Sequence, residues 1–181
     1  MAMVEHIPEE AANAVDIDDH SFAEIVRCHQ SMVYSIALHF LSDSASVEEL
    51  AQDVFLQLHA NLGKLRSGDH IKFWLRKVTG HRCIDYRRRR NLPQVSLDDV
   101  PEPAAPGRPG DPLLSGKLRR FVASLPEKAR LVVILRYQED MDAAEIAETL
   151  DMPLATVKSH LQRSLALLRE KLTRAVGEVT L

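Results

Sequence analysis

Apolar residues recur at helical spacing along the N-terminal half of the chain, which predicts three helices. The first runs from Ser21 to Leu41. The second begins at a capping-box pattern formed by Ser46 and Glu49, and Gly63 is suited to end it. The stretch from Asp69, its expected N-cap, to Arg90 predicts the third helix, which is apolar on one side and strongly basic toward its end.

The periodicity stops at residues 91–112, where prolines and glycines dominate, and it resumes in the C-terminal half. There Pro126 separates two further helices. Asp142 and Glu145 form another capping-box pattern that opens a short helix. Asp151-Met152-Pro153 forms a turn, and a long helix begins after it. A short helix, a tight turn and a longer helix are the layout of a helix-turn-helix motif.

These elements predict an all-α protein with two small helical domains. An N-terminal helical bundle spans residues 21–90, and a four-helix domain with the helix-turn-helix motif spans residues 113–175. A flexible, proline-rich linker over residues 91–112 joins them. Residues 1–20 contain six acidic residues and neither Lys nor Arg, so we expect a disordered acidic leader. The pattern leaves open whether the two domains pack together when the protein is free.

Composition restricts the setting in which the protein works. The chain has 181 residues and a net charge of −3. Its two cysteines, Cys28 and Cys83, lie in different predicted helices, so a disulfide framework is not expected and a reducing compartment fits. Neither a signal peptide nor an apolar run of membrane-spanning length is present. We therefore expect a cytoplasmic protein without direct membrane insertion.

Positive charge is concentrated in one stretch of this slightly acidic protein. Between Lys64 and Arg90 the only anionic residues are Asp69 and Asp85. The cationic residues there are Lys64, Arg66, Lys72, Arg76, Lys77, Arg82, Arg87, Arg88, Arg89 and Arg90. Such a patch is the electrostatic footprint of a polyanion partner. Trp74 and His81 add planar groups, although Trp74 is better explained as a core residue than as a stacking platform.

The long helix after the turn carries polar side chains suited to DNA. They lie near its N-terminal end, the end that enters a major groove. Lys and Arg side chains bond guanine O6 and N7, Gln pairs with adenine, and Thr can bond a phosphate. The candidate residues are Thr156, Lys158, Ser159, Gln162 and Arg163.

With these features in this order, the chain resembles an RNA polymerase sigma factor of the extracytoplasmic-function type, from about Phe22 to Lys171. In this chain the segment VEELAQDVFLQLHANL looks like the family's polymerase-binding helix. The segment FWLRKVTGHRCIDYRRRR looks like the family's minus-ten helix. The segment that looks like the family's minus-thirty-five-binding domain is SLPEKARLVVILRYQEDMDAAEIAETLDMPLATVKSHLQRS. Three such segments at the right spacing are together specific.

The resemblance implies a transcription initiation factor that binds core RNA polymerase and directs it to promoters. It implies core-polymerase binding by Glu49, Gln52, Asp53 and Phe55. It implies minus-ten binding by Lys64, Arg66, Lys72, Trp74, Lys77, His81, Arg82, Arg87 and Arg88, and minus-thirty-five binding by the five residues of the long helix. The implied partners are core RNA polymerase, promoter DNA and an anti-sigma factor, which is membrane-bound in many family members. No cofactor, metal, catalytic residue or small-molecule substrate is expected.

The chain departs from the family pattern at four positions. His81 stands where Asn is frequent, and His160 where Arg is frequent. Asp151 and Ala155 replace common turn glycines. Asp tolerates a left-handed backbone better than most residues, so we expect the turn to form.

Two other classes of function remain open at this point. A stand-alone helix-turn-helix regulator would use only the C-terminal domain and would leave the Gln52 helix without a role. An enzyme acting on nucleic acid would have to use Asp85 beside His81, or His29 with Cys28. No metal-spaced carboxylate cluster and no Ser-His-Asp arrangement is recognisable to support the enzyme.

Overall fold

The computed structural model describes residues 19–90 and 112–177. Every regular element in these residues is helical, which confirms the all-α fold class. Residues 1–18 of the leader expected over residues 1–20, and residues 91–111 of the linker expected over residues 91–112, lie outside the described residues. No described helix is both long enough and apolar enough to cross a membrane. The elements are α1 (Asp19–Leu41), α2 (Ser44–Asn61), a 3-10 turn (Leu62–Lys64), α3 (Gly68–Arg90), α4 (Pro112–Ala123), α5 (Glu127–Gln138), α6 (Ala143–Thr149) and α7 (Leu154–Gly177).

The ends of α2 differ from those expected. Asp43, not Ser46, is the N-cap, because its carboxylate accepts a hydrogen bond from the Ser46 amide at 3.3 Å. Ser46 is buried inside the first turn. At the other end the chain tightens into the 3-10 turn, and Gly63 keeps a negative φ instead of forming a left-handed cap. The expected start and stop of this helix were therefore wrong by a few residues.

The third helix also begins earlier than expected. Gly68 is its first residue, and the Ser67 hydroxyl accepts a hydrogen bond from the His70 amide at 3.1 Å. Ser67 is thus the side-chain cap, and Asp69 lies in the first turn. The expectation that Asp69 would cap α3 was wrong, although its negative charge still faces the positive end of the helix dipole.

The apolar stripes of α1, α2 and α3 meet in one core, as their spacing predicted. Fully buried side chains come from all three helices and include Val33, Ile36, Phe40, Val47, Val54, Leu58 and Leu75. Trp74 is half-buried and packs against this core, in agreement with its interpretation as a core residue. The bundle orients the remaining faces of α2 and α3 outward.

The C-terminal half forms the predicted helix-turn-helix motif. Asp142 caps α6 by accepting from the amides of Ala144 and Glu145, at 2.7 and 2.8 Å. The Glu145 carboxylate accepts in turn from the Asp142 amide at 2.6 Å, which completes the capping box. In the turn before α7, Asp151 has a φ of 49°, so the left-handed backbone expected there is present.

The two halves pack together, which the sequence had left open. Buried side chains of α5 and α6, such as Leu131, Leu135 and Ile146, belong to the same core cluster as those of α1 to α3. Helix α1 contacts α4 and α5, and α3 contacts α5 and α6. We call this packing of the C-terminal half against α1 and α3 the closed arrangement.

Candidate nucleic-acid interface

The outward face of α2 is acidic, polar and partly apolar. Gln52 and Asp53 are exposed, and Leu56 beside them exposes 70% of its surface. Phe55 is half-buried and packs against the core. Glu49 is held from α3, because the Tyr86 hydroxyl donates to its carboxylate at 2.8 Å and lies 3.0 Å from Ser46 Oγ. The four residues assigned to polymerase binding therefore share one helix, but Phe55 also supports the fold.

Many of the cationic side chains around α3 reach solvent. Exposed ones are Lys64 and Arg66 before the helix, Lys72 in its second turn, and Arg88 and Arg89 near its end. Arg82 is half-buried and lies against the Gln57 amide of α2, whose oxygen accepts from Arg82 Nε at 2.8 Å when the amide is oriented to satisfy both groups. This part of the patch can approach a polyanion without any rearrangement.

Other cations of α3 face carboxylates of the C-terminal half. Arg76 donates to the Glu139 carboxylate at 3.1 and 3.3 Å and to the Glu139 carbonyl at 3.1 Å. Lys77 donates to Asp151 at 2.8 Å. The second carboxylate oxygen of Asp151 lies 3.9 Å from His81 Nε2. The closed arrangement thus neutralises part of the basic patch.

Arg87 is also engaged in this way. It is only 7% exposed, and its Nε lies 3.4 Å from a carboxylate oxygen of Glu127 at the start of α5. Three of the side chains expected to meet DNA, Lys77, His81 and Arg87, therefore contact α5 or the turn before α7 instead. Arg87 is buried by this packing, whereas Lys77 and His81 keep 34% and 43% of their side chains exposed.

The residues assigned to duplex reading cluster on the first turns of α7. Lys158, Gln162 and Arg163 are exposed, whereas Thr156 and Ser159 are half-buried. His160 lies among them; its pKa is lowered by burial and, to a smaller extent, by the charges of Arg163 and Lys128. The cluster presents donors and an amide at a helix N-terminus, as a groove-reading helix requires.

Two of the residues considered for catalysis, Cys28 and His29, lie on α1, and the second cysteine, Cys83, lies on α3. Burial raises the pKa of the Cys83 thiol, and Cys28 is exposed on α1. Burial lowers the pKa of His29, and the charges of Lys72 and Arg76 act in the same direction. Within residues 19–90 and 112–177, no group of three or more His, Cys, Asp and Glu side chains could hold a metal ion.

Arg130 is a buried structural residue that the sequence analysis did not single out. It is 1% exposed, and its guanidinium donates to the carbonyls of Phe40, Ala123 and Leu125. Its Cζ lies 5.3 Å from the centre of the Phe40 ring. One signal was available in the sequence, because Arg130 directly precedes the five-residue apolar run from Leu131 to Leu135 and is buried with it.

Comparisons with known proteins agree with this geometry. A family model described as Sigma-70 region 2 matches residues 25–92, and one described as Sigma-70, region 4 matches residues 115–168. The ECF RNA polymerase sigma factor SigW of Bacillus subtilis is 27% identical over 174 residues, covering 86% of this chain and 90% of that protein.

Solved structures share the fold. The sigma factor RpoE in complex with the anti-sigma factor NepR, from Bartonella quintana, superposes with a TM-score of 0.69 at 19% identity, covering 84% of this chain and 96% of that chain. CnrH in complex with the cytosolic domain of CnrY gives a TM-score of 0.63 at 19% identity, covering 87% and 90%. Because both halves of the chain match regions of one family in the family's order, the chain belongs to the sigma-70 family, as an RNA polymerase sigma factor of the extracytoplasmic-function type.

Proposed function

We propose that this sigma factor docks on core RNA polymerase through α2, binds the minus-ten element through α3 and the segment before it, and reads the minus-thirty-five element through α7. The observation that carries the assignment is the coincidence of the two matched regions with the two charged surfaces. Region 2 spans the acidic face of α2 and the basic patch of α3, and region 4 spans the helix-turn-helix motif.

For polymerase docking we propose Glu49, Gln52, Asp53 and Phe55. An exposed amide, a carboxylate and the apolar Leu56 surface next to them suit a helical partner that offers both cations and apolar side chains. Glu49 is oriented before binding by the Tyr86 hydroxyl, which reduces the entropy lost on docking.

For the minus-ten element we propose the nine cationic and planar residues between Lys64 and Arg88 named above. The exposed cations give affinity for phosphates but little choice of sequence. Sequence choice requires contact with unstacked bases. The groups beside the exposed cations that could make this contact are the segment from Gly63 to Ile71 and the planar rings of Trp74 and His81.

For the minus-thirty-five element we propose Lys158, Ser159, Gln162 and Arg163 as base readers, and Thr156 as a phosphate contact. The three exposed side chains among them can reach base edges in a major groove. Thr156 lies in the first turn of α7, where its hydroxyl can donate to a phosphate at the positive end of the helix dipole.

The same proposal covers the protein's partners and setting. An anti-sigma factor is a fitting regulator, because RpoE was solved with one and shares this fold. The protein works where core polymerase and DNA are found, in the cytoplasm. It acts by binding, and the chemistry of RNA synthesis belongs to the polymerase.

Run-off transcription with purified core polymerase on a pool of genomic promoters tests the proposal. We expect specific transcripts only when the protein is present. Gln52→Ala should lower transcription from all promoters by weakening polymerase binding, whereas Lys158→Ala should affect promoters according to their minus-thirty-five sequence. Gln30→Ala and Arg169→Ala, at exposed positions of α1 and α7, are the matched controls. Footprinting of duplex DNA by the protein alone, without any transcript, would favour a stand-alone regulator instead.

A further inference from the structure

The first turn of α7 is exposed and apolar. Leu154, the first residue of this helix, exposes 41% of its surface, and Pro153 and Ala155 on either side of it are exposed as well. We call these three residues the apolar tip. Their side chains contain neither a hydrogen-bond donor nor an acceptor, so they cannot form the polar base contacts proposed for the rest of the helix. The apolar tip therefore needs an explanation of its own.

Helical spacing places the apolar tip on the side of α7 that is proposed to read DNA. Leu154 lies one turn before Lys158, and Ala155 lies one turn before Ser159. Val157 is fully buried and marks the side of the helix that faces the core. The tip thus continues the row of proposed base readers toward the N-terminal end of the helix, which is the end that enters a major groove.

The backbone of the apolar tip is fixed before any partner binds. The Pro153 carbonyl accepts hydrogen bonds from the amides of Thr156 and Val157, at 2.9 and 3.1 Å, and these bonds close the first helical turn. The Met152 amide donates to the Ala147 carbonyl at 2.9 Å and ties the turn to α6. Because a preorganised surface loses little conformational entropy on binding, a small apolar contact made here contributes to the choice of sequence.

Thymine is the base that offers an apolar group in the major groove. Its C5-methyl group projects there, and the other three bases have no such group. An aliphatic side chain in contact with this methyl group therefore distinguishes thymine from cytosine. Lys158 and Arg163 suit guanine, so the apolar tip adds a preference that these cations cannot supply.

We propose that Leu154 and Ala155 form a subsite for the C5-methyl group of a thymine in the minus-thirty-five element. The inference deepens the proposed function of α7 and rests on it. Because the tip precedes Lys158 and Ser159 by one turn, the thymine lies next to the bases that these two residues read, on the side of the helix N-terminus. Leu154 and Ala155 are then specificity-determining residues that act by apolar contact.

A base analogue tests the subsite without any change in the protein. Deoxyuridine pairs with adenine as thymine does and lacks only the C5-methyl group. Run-off transcription with core polymerase, from promoters randomised in the minus-thirty-five element, first identifies the preferred sequence, in which we expect a thymine beside a guanine. Replacing that thymine by deoxyuridine should lower the rate of transcription at subsaturating protein about fourfold, the effect of losing one buried methyl-sized group.

Two variants locate the effect on the chain. The tip variant combines Leu154→Ala with Ala155→Gly and should transcribe the thymine and deoxyuridine promoters equally, because the methyl contact is already lost. The matched control combines Leu167→Ala with Ala166→Gly. It makes the same two replacements at exposed positions farther along α7, where Leu167 exposes 45% of its surface. The control should keep the fourfold preference for thymine.

Three results would overturn the subsite. They are a preferred element without thymine, equal transcription by the natural chain from the thymine and deoxyuridine promoters, and a thymine preference that persists in the tip variant. In each case transcription still depends on the bases of the element, so the proposed role of α7 stands. Transcription that is indifferent to every base of the element would instead remove the function on which the inference rests. The promoter comparison needs only the natural chain, so it decides the matter even if a variant loses stability.

Discussion

Arg130 joins the ends of two helices from different halves of the molecule. The Phe40 carbonyl belongs to the last turn of α1, and those of Ala123 and Leu125 lie at and just after the end of α4. Such carbonyls have no partner within their own helix. Burial lowers the pKa of Arg130 to about 10, with the nearby charge of Arg87 acting in the same direction and that of Glu127 opposing it. The guanidinium therefore stays charged at neutral pH and satisfies three carbonyls at once.

Arg130→Met should lower the free energy of unfolding by about 3 kcal/mol. A buried carbonyl left without a donor costs about 1–3 kcal/mol, and the total stays near the lower end because some of the three carbonyls gain access to water in the variant. Urea unfolding followed by circular dichroism measures the change. Arg136→Met is the control, since Arg136 is exposed and donates to the single carbonyl of Met141 at 2.9 Å. An equal effect of the two substitutions would show that Arg130 is not the link between the helix ends.

Acidification should destabilise the fold through two histidines. Burial lowers the pKa of both His29 and His160, so the folded state prefers their neutral forms. In the unfolded chain these histidines have a pKa of about 6.5, so below that pH the unfolded chain binds more protons than the folded protein. Stability therefore falls with the pH until the histidines of the folded protein, whose pKa is lower, are protonated as well. Thermal unfolding midpoints at pH 7.5 and 5.5 measure the loss, which His29→Gln with His160→Gln should reduce. An unchanged pH dependence in that double variant would assign the loss to other groups.

Among the helix ends, sequence pattern predicted the existence of caps better than their positions. The Asp142 capping box was predicted and is confirmed, because Asp142 has a Glu three residues later, whereas the neighbouring Asp140 has Ala143 there. Before α2 and α3 several capping residues lie within three positions of one another. Which of these side chains becomes the cap then depends on how the helix packs against the core. Ser46, for example, is buried in the first turn of α2 and does not cap it. Local sequence does not contain that information.

The two candidates at the start of α3 can be separated by substitution. Ser67→Ala removes the side-chain acceptor for the His70 amide and should cost about 1 kcal/mol of stability. Asp69→Ala removes only a favourable interaction with the helix dipole, worth about 0.3–1 kcal/mol and reduced further by salt. Chemical unfolding of both variants at high and low salt makes the comparison. A larger, salt-independent loss for Asp69→Ala would restore it as the cap.

At the scale of the whole molecule, the sequence predicted the helical domains and the chemistry of each surface but not their pairing. The basic side chains of α3 can be read from the chain directly. Their partners cannot, because Glu139 lies 63 residues after Arg76 and Asp151 lies 74 residues after Lys77. Opposite charges at such separations have no local signature, and the acidic residues are ordinary surface residues by pattern. The closed arrangement depends on shape, through Gly80 and the shared core, and this emerges only after folding.

The closed arrangement predicts that the protein can bind polymerase before its two halves separate. A cross-link between the halves should therefore permit polymerase binding and block the steps after it. His39 Nε2 and Gln138 Nε2 lie 3.0 Å apart between α1 and α5, outside every proposed binding surface. A chain carrying His39→Cys, Gln138→Cys and Cys28→Ser, joined by a short bis-maleimide that a reductant cleaves, would be held closed. We expect it to bind core polymerase as tightly as the uncross-linked chain, because α2 faces outward.

The locked protein should nevertheless give no run-off transcript, since Arg87 stays buried and the two promoter-binding halves cannot separate. Cleavage of the linker should restore transcription, which shows that the substitutions themselves are harmless. Normal transcription from the locked form would mean that opening is not required. Failure of the locked form to bind polymerase would mean that opening precedes docking, because the closed arrangement would then hide a polymerase contact beyond the exposed face of α2.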